Sequence, residues 1–154
     1  MIYLASMENE NLYRENILEH YRNPENKKEI FLNSSNHNQL NQDSKDSENL
    51  QIISELGDNP DCGDSGNLFL KIQKTTSAKK DFLILEASFL GEGCAISQAA
   101  FDMLAGELKG KLISEIKTWT PAKIYELLQI KITPNRVNCA LLGYRALEKI
   151  LKKL

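Results

Sequence analysis

The sequence predicts an α+β domain, in which helices precede and follow an antiparallel sheet. Apolar residues recur at helical spacing over 7–22, 95–108 and 137–154. Between the first two of these segments, residues 67–74 and 82–90 have the composition of strands and are joined by a short polar connection, as in a β-hairpin. The order along the chain is therefore helix, sheet and then helices.

The ends of the predicted helices are marked by turn and capping residues. Pro24 ends the first helix, because the residue before a proline is forced out of the helical region. Gly110 closes the helix over 95–108 as a C-terminal cap. Two shorter helices are expected over 112–117 and 121–129.

Length and composition favour one globular domain with balanced charge. The chain has 154 residues, 42% of them apolar, which suits a single core. Its 19 basic and 21 acidic residues give a formal charge of −2, so nothing attracts it generally to nucleic acid or to an anionic membrane. Because no secretion signal or membrane-spanning segment is evident, we expect a cytoplasmic protein that binds neither nucleic acid nor a membrane.

The domain organisation includes one polar segment. We expect a single domain over 7–154, with residues 1–6 as a candidate upstream extension if Met7 is the start. Residues 33–51 are rich in Asn, Ser, Gln and Asp, and we expect them to form a flexible loop inserted in the domain. Just before it, the apolar patch over 30–32 predicts an edge strand.

Each of the three cysteines lies at a junction between predicted elements. Cys62 lies in a turn rich in Gly, Pro and Asp before a strand, Cys94 lies between a strand and a helix, and Cys139 is near the start of the last helix. Most free cysteines behave as small buried hydrophobes. Positions at the ends of elements instead favour a chemical role, and in a reducing compartment three free thiols need no disulfide partner.

The sequence around Cys94 favours a thiolate. The free N–H groups and the dipole at the start of a helix stabilise negative charge. Gly91 and Gly93 allow the backbone to approach a ligand closely. Arg136, three residues before Cys139, is placed to favour a thiolate there as well.

Asp64 adds a carboxylate next to the first cysteine. It follows Cys62 by two residues, so in an extended segment the two side chains point the same way. Three thiolates and one carboxylate suit Zn²⁺ or Fe²⁺ in tetrahedral geometry. However, the chain has no Cys-x-x-Cys pair, and by spacing alone a metal or sulfur site and three structural thiols are equally supported.

Four local sequences resemble those of one known family, the IscU/NifU/SufU iron–sulfur scaffold proteins. Asn59–Asp64 (NPDCGD) resembles the N-P-x-C-G-D signature, and Gly91–Ala99 (GEGCAISQA) resembles the G-x-G-C-A-I-S-x-A segment. Arg136–Leu142 (RVNCALL) resembles the third cysteine segment, and Glu19–Pro24 (EHYRNP) the family's opening motif. The resemblance covers nearly the whole chain outside the polar loop.

The resemblance implies a fold and a function. The fold is a three-stranded antiparallel sheet with helices packed on one side, the SufE/NifU-like fold. Cys62, Asp64, Cys94 and Cys139 would bind Fe²⁺ and a transient [2Fe–2S] cluster, with Asp64 tuning its lability. The three cysteines are candidates to accept sulfur as a persulfide from a cysteine desulfurase, and the cluster would pass to apo iron–sulfur acceptor or carrier proteins. Such a scaffold is a binding protein rather than an enzyme.

Two departures leave alternatives open. Asn138 occupies the position where IscU proteins have a histidine, which favours a SufU-like zinc-dependent sulfurtransferase, with Zn²⁺ in the same site and a cysteine desulfurase as partner. SufU proteins also carry an insertion between the second and third cysteines. The segment between Cys94 and Cys139 is too short to hold this insertion. Residues 132–136 only faintly match the family's chaperone-binding stretch. A third alternative is a structural zinc domain without sulfur transfer.

Three other residues are expected to be structural. His20, on the first helix, is expected to pack or to form a hydrogen bond rather than to bind a metal. Trp119 and Tyr125 are expected to belong to the core.

Overall fold

The computed structural model describes residues 2–31, 49–59 and 63–154, with side chains from Glu10 onward in the first range. Within these ranges, three strands and six α-helices follow one another: α1 Ile2–Arg22, β1 Leu50–Asn59, β2 Asp64–Lys74, β3 Phe82–Glu92, α2 Ala95–Leu108, α3 Ile113–Ile116, α4 Ala122–Leu128, α5 Val137–Ala140 and α6 Leu142–Lys153. A 3₁₀ turn, Pro134–Arg136, precedes α5. The described chain therefore has the predicted α+β order.

The strands form one antiparallel sheet in the order β1-β2-β3, which confirms the predicted three-stranded sheet. In β2, alternate residues from Leu68 to Ile72 are fully buried, because one face of the sheet packs against helices. A bulge in β3 lets Ile84 and Ala87 both reach this buried face although they are three residues apart.

Phe101 of α2 joins the helices to the sheet. Its ring stacks on that of Phe89 in β3, with the ring centroids 5.2 Å apart. Two glycines make room for it: a Cβ atom at Gly66 in β2 would lie 2.8 Å from the ring, and one at Gly143 in α6 would lie 3.0 Å from it. Phe101 thus packs at the point where α2, α6 and the sheet meet.

A buried polar network anchors α1 to α2. The carboxylate of Asp102 lies 2.6 Å from Nδ1 of His20 and accepts a 2.8 Å hydrogen bond from the backbone N–H of Asn26. The amide oxygen of Asn26 in turn accepts a hydrogen bond from Lys109. This confirms the hydrogen-bonding role expected for His20, and it gives the buried Asp102 the partners that a buried carboxylate needs.

The structure corrects the prediction for the segment before the sheet. The edge strand expected over 30–32 is wrong for the two described residues, since Ile30 and Phe31 are irregular. Lys27 instead forms an isolated parallel bridge with Phe89. Ile30 is buried, so its apolar character reflects packing rather than a strand. Leu32 lies outside the described residues.

The polar loop was predicted to extend too far. Residues 50 and 51 belong to β1, where Leu50 pairs with Gln73 of β2, so these two residues are not part of a flexible loop. Residues 33–48 lie outside the described residues, and the loop expected there stays a prediction. None of the apolar residues of β1 is buried, so the strand depends on its pairing with β2, which its own composition does not show.

The first and last helices differ from their predicted limits. Helix α1 begins at Ile2, so residues 2–6 continue the helix predicted over 7–22. The helix predicted over 137–154 is two helices, because the backbone at Leu141 (φ −91°, ψ 3°) leaves helical geometry.

Trp119 and Tyr125 pack against the core as predicted. Within residues 2–31, 49–59 and 63–154, the helices are too short or too polar to cross a membrane.

Replacing Phe101 tests the packing that joins helices and sheet. Phe101→Ala should lower the free energy of unfolding by about 3–5 kcal/mol, because it leaves a cavity at a fully buried contact. Urea unfolding followed by circular dichroism measures the change. Leu12→Ala is the control, since Leu12 is 66% exposed and its truncation should change stability by less than about 0.5 kcal/mol. Equal urea midpoints for Phe101→Ala and the wild type would contradict the role of Phe101 in packing the helices against the sheet.

Candidate metal centre

The turn between β1 and β2 places Asp64 at one end of the sheet. Asn59, the last residue of β1, pairs with Asp64, the first residue of β2. The backbone N–H of Gly63 donates a 3.0 Å hydrogen bond to the carbonyl of Asn59, and Gly63 has φ +70°, a conformation that favours glycine. Asp64 is therefore held in a fixed position, with only 8% of its surface exposed.

Cys62 lies outside the described residues. Its predicted role as a ligand and as a sulfur acceptor therefore stays a prediction. Along the chain, only Gly63 separates Cys62 from Asp64.

Cys94 follows β3 and precedes α2, as predicted. Its backbone is extended (φ −70°, ψ 166°) at the N-cap position of α2, and its side chain is partly buried. The backbone N–H of Cys94 donates a 3.5 Å hydrogen bond to Oδ2 of Asp64. The hydroxyl of Ser97 donates a 3.0 Å bond to the carbonyl of Cys94. The start of α2 and the start of β2 are therefore directly connected.

Gly93 permits this close approach. A Cβ atom at position 93 would lie 2.7 Å from Cγ of Asp64 and 2.5 Å from Oγ of Ser97. Both distances are shorter than real Cβ contacts, so a side chain at this position would displace the carboxylate or the hydroxyl. The structure thus shows a close approach of Gly93 to Asp64 and Ser97, whereas the predicted approach of the backbone to a ligand stays a prediction.

Cys139 reaches the same region from α5 and is completely buried. The side-chain amide of Asn59 donates a hydrogen bond to its sulfur, with Nδ2 and Sγ 3.9 Å apart. Arg136, expected to favour a thiolate here, is exposed. The electrostatic effect of Arg136 on the Cys139 thiol stays a prediction.

The structure brings three of the four predicted ligands together. The ligand atoms of Asp64, Cys94 and Cys139 all lie within 4.8 Å of one another. A tetrahedral ion with thiolates at about 2.3 Å and a carboxylate oxygen at about 2.1 Å holds its donors about 3.5–3.8 Å apart. Small side-chain rotations would bring the three atoms to that spacing and leave one coordination position.

The chemistry of these donors also fits a metal. Cys139 is fully buried and Asp64 nearly so, and as thiolate and carboxylate they would place negative charges side by side out of water. Such charges are costly unless a cation pairs with them. A divalent ion would remove the repulsion, and the combination of soft sulfur and hard oxygen suits Zn²⁺ or Fe²⁺.

Asn138 and His20 each have a hydrogen-bond partner outside this group of donors. The side-chain oxygen of Asn138 accepts a 2.7 Å hydrogen bond from Arg145, so the residue in the place of the IscU histidine is engaged elsewhere. His20 is bound to Asp102. The candidate centre that the described residues form therefore consists of thiolates and a carboxylate.

Asn59 contacts the candidate centre, although no sequence pattern predicts this contact. Asn59 belongs to the motif around Cys62, but nothing in the sequence indicates that its amide reaches Cys139. The two residues are 80 positions apart, and a hydrogen bond over such a separation leaves no periodic or spacing signal.

Fold and site together define an α+β protein in which two cysteines and one aspartate form a candidate metal centre at one end of the sheet. The sequence model described as "NifU-like N terminal domain" matches residues 12–154. The chain belongs to this family.

Relatives within the family are named for different activities. The "Zinc-dependent sulfurtransferase SufU" of Bacillus subtilis is 31% identical, covering 92% of this chain and 90% of the relative. The "Iron-sulfur cluster assembly scaffold protein IscU" of Thermotoga maritima is 29% identical, covering 66% of this chain and 78% of the relative. The crystal structure of a NifU-like protein (N-terminal) from Brucella abortus shares the fold, with a TM-score of 0.58, 14% identity and 92% of both chains covered.

Gly93→Ala should weaken metal binding without unfolding the domain. The new methyl group would displace Asp64 from the other two donors, and we expect Zn²⁺ affinity to fall about 10–100-fold, as for loss of an outer-shell support. Competition with a chromophoric chelator measures the affinity. Gly106→Ala is the control, since its Cβ atom would meet its nearest neighbour, Nδ2 of Asn26, at 3.5 Å, an ordinary contact. Unchanged affinity in Gly93→Ala would show that Asp64 is not a ligand.

Proposed function

We propose that this chain is an iron–sulfur cluster assembly scaffold. It binds iron, accepts sulfur from a cysteine desulfurase, and passes a labile [2Fe–2S] cluster to apo acceptor or carrier proteins. The observation that carries the proposal is the convergence of Asp64, Cys94 and Cys139 at one end of the sheet. Family membership and the relative named as an IscU scaffold support it.

The donor set suits a substrate that must be built and then released. Thiolates bind iron strongly, whereas a carboxylate oxygen is a harder ligand and a weaker partner for a sulfur-rich cluster. Asp64 is fixed by the strand pairing and by the N–H of Cys94, so it can hold the growing cluster without a fourth soft bond. Cys94 is partly exposed, which leaves one side of the centre open to an incoming donor or acceptor protein.

Sulfur acceptance by a cysteine of the centre follows ordinary exchange chemistry. A thiolate attacks the outer sulfur of the desulfurase persulfide, the new S–S bond forms, and the desulfurase cysteine leaves as a thiolate. The step moves one sulfur atom without net oxidation. Conversion of the resulting persulfide into sulfide then requires two electrons from an external reductant.

A zinc-dependent sulfurtransferase is the second candidate, and two observations favour it. Position 138, which is a histidine in IscU proteins, is Asn in this chain, and its side-chain oxygen accepts a hydrogen bond from Arg145. The Bacillus subtilis relative, named for this activity, matches over 92% of the chain. In this alternative Zn²⁺ occupies the same donors and a cysteine accepts sulfur for transfer.

Metal and acid-labile sulfide analysis separates the two candidates. Protein purified without oxygen, or reconstituted with Fe²⁺, a cysteine desulfurase, cysteine and a thiol reductant, should contain iron and sulfide in near-equal amounts and show visible charge-transfer absorption. Cys94→Ser, treated identically, should lose both. About one zinc per chain, no sulfide and faster desulfurase turnover would replace the scaffold with the sulfurtransferase. Zinc with no persulfide on any cysteine would leave only a structural zinc domain.

Asp64→Ala should make the cluster more persistent. Removing the oxygen ligand removes the weak bond at which exchange begins, so we expect slower cluster transfer to an apo ferredoxin and slower bleaching by a chelator. Stopped-flow or spectrophotometric decay of the visible band measures both. Asp58→Ala is the matched control, because Asp58 lies nearby in β1 but is exposed. Faster release from Asp64→Ala than from the control would contradict a tuning role for this carboxylate.

A further inference from the structure

We propose that Asn59 is a positioning residue of the metal centre, whose side-chain amide holds the Cys139 sulfur ready for metal binding. The inference rests on the proposed function only in requiring that the centre bind a metal ion.

The geometry places the amide in a protected position. Asn59 is the last residue of β1 and is 2% exposed, and Cys139 is completely buried. Nδ2 of Asn59 lies 3.9 Å from Sγ of Cys139, a distance suited to a weak N–H···S bond to the large sulfur atom. An amide does not ionise, so it remains a donor at every pH at which the protein is folded.

The backbone of Asn59 reaches the rest of the centre as well. Its carbonyl accepts a 3.0 Å hydrogen bond from the N–H of Gly63, the residue before Asp64. In the sheet, Asn59 pairs directly with Asp64. One residue therefore contacts both the segment that carries Asp64 and the sulfur of Cys139, which arrive from opposite halves of the chain.

The physical effect is that of a partner behind a metal ligand. A donor to a thiolate fixes the rotamer of the cysteine, stabilises the anion and withdraws some of the electron density that sulfur gives to the metal. The remaining lone pairs stay available for coordination. The amide should therefore increase metal affinity through preorganisation and shift the sulfur-to-metal charge transfer to higher energy.

Two substitutions and one control test this role. Asn59→Leu keeps the branched shape but removes the donor, and Asn59→Ala removes the side chain while leaving the backbone bonds. Asn67→Ala, in the adjoining strand β2, changes the same residue type at an exposed position. Each protein is checked by circular dichroism, titrated with Zn²⁺ against a chelator, and loaded with Co²⁺ to record its sulfur-to-cobalt absorption band.

We expect both Asn59 variants to bind Zn²⁺ about 10–100-fold more weakly and to shift the Co²⁺ charge-transfer band to lower energy, with the Asn67 control unchanged. If wild type binds neither ion, the proposed function itself fails. If wild type binds and a folded Asn59 variant keeps the same band, the inference alone is overturned, whatever its affinity. Should Asn59→Leu fail to fold, Asn59→Ala decides the outcome.

Discussion

The antiparallel register of the three strands is the constraint on which the rest of the structure depends. It pairs Asn59 with Asp64 and Ser65 with Glu92. The end of β1, the start of β2 and the end of β3 therefore lie side by side at one end of the sheet. A slip of one residue would turn Asp64 away from the buried face, because side chains alternate along a strand. The apolar residues of β2 oppose such a slip, so the packing of the core also fixes the carboxylate of the metal centre.

The third donor depends on helix packing rather than on the sheet. Cys139 lies in α5, immediately before α6, and α6 packs on the sheet around Phe101. Metal binding and folding should therefore be coupled, since an ion would link Cys139 to residues of β2 and α2.

Elements with strong local signals were predicted well. Helix α2 was predicted with its observed limits, because its apolar spacing is regular and glycines lie before and after it. Strands β2 and β3 were recognised by their apolar runs, although each is longer than predicted. Strand β1 was missed because its stability comes from pairing with β2, from Leu50–Gln73 to Asn59–Asp64, which is not visible in its own composition. The break at Leu141 interrupts an apolar stripe that continues through both helices, so periodicity alone predicted one helix.

The sequence by itself determined the chemistry of the candidate site: soft thiolates and one carboxylate at the junctions of elements, in segments that resemble those of a scaffold family. Only the tertiary structure decided which donors meet, that Asn138 is engaged by Arg145, and that the amide of Asn59 reaches Cys139. The physical reason is that local propensity acts over a few residues, whereas these contacts join residues from β1, β2, α5, α6 and the N-cap of α2. Their distances are set by the packing of whole elements around a shared core.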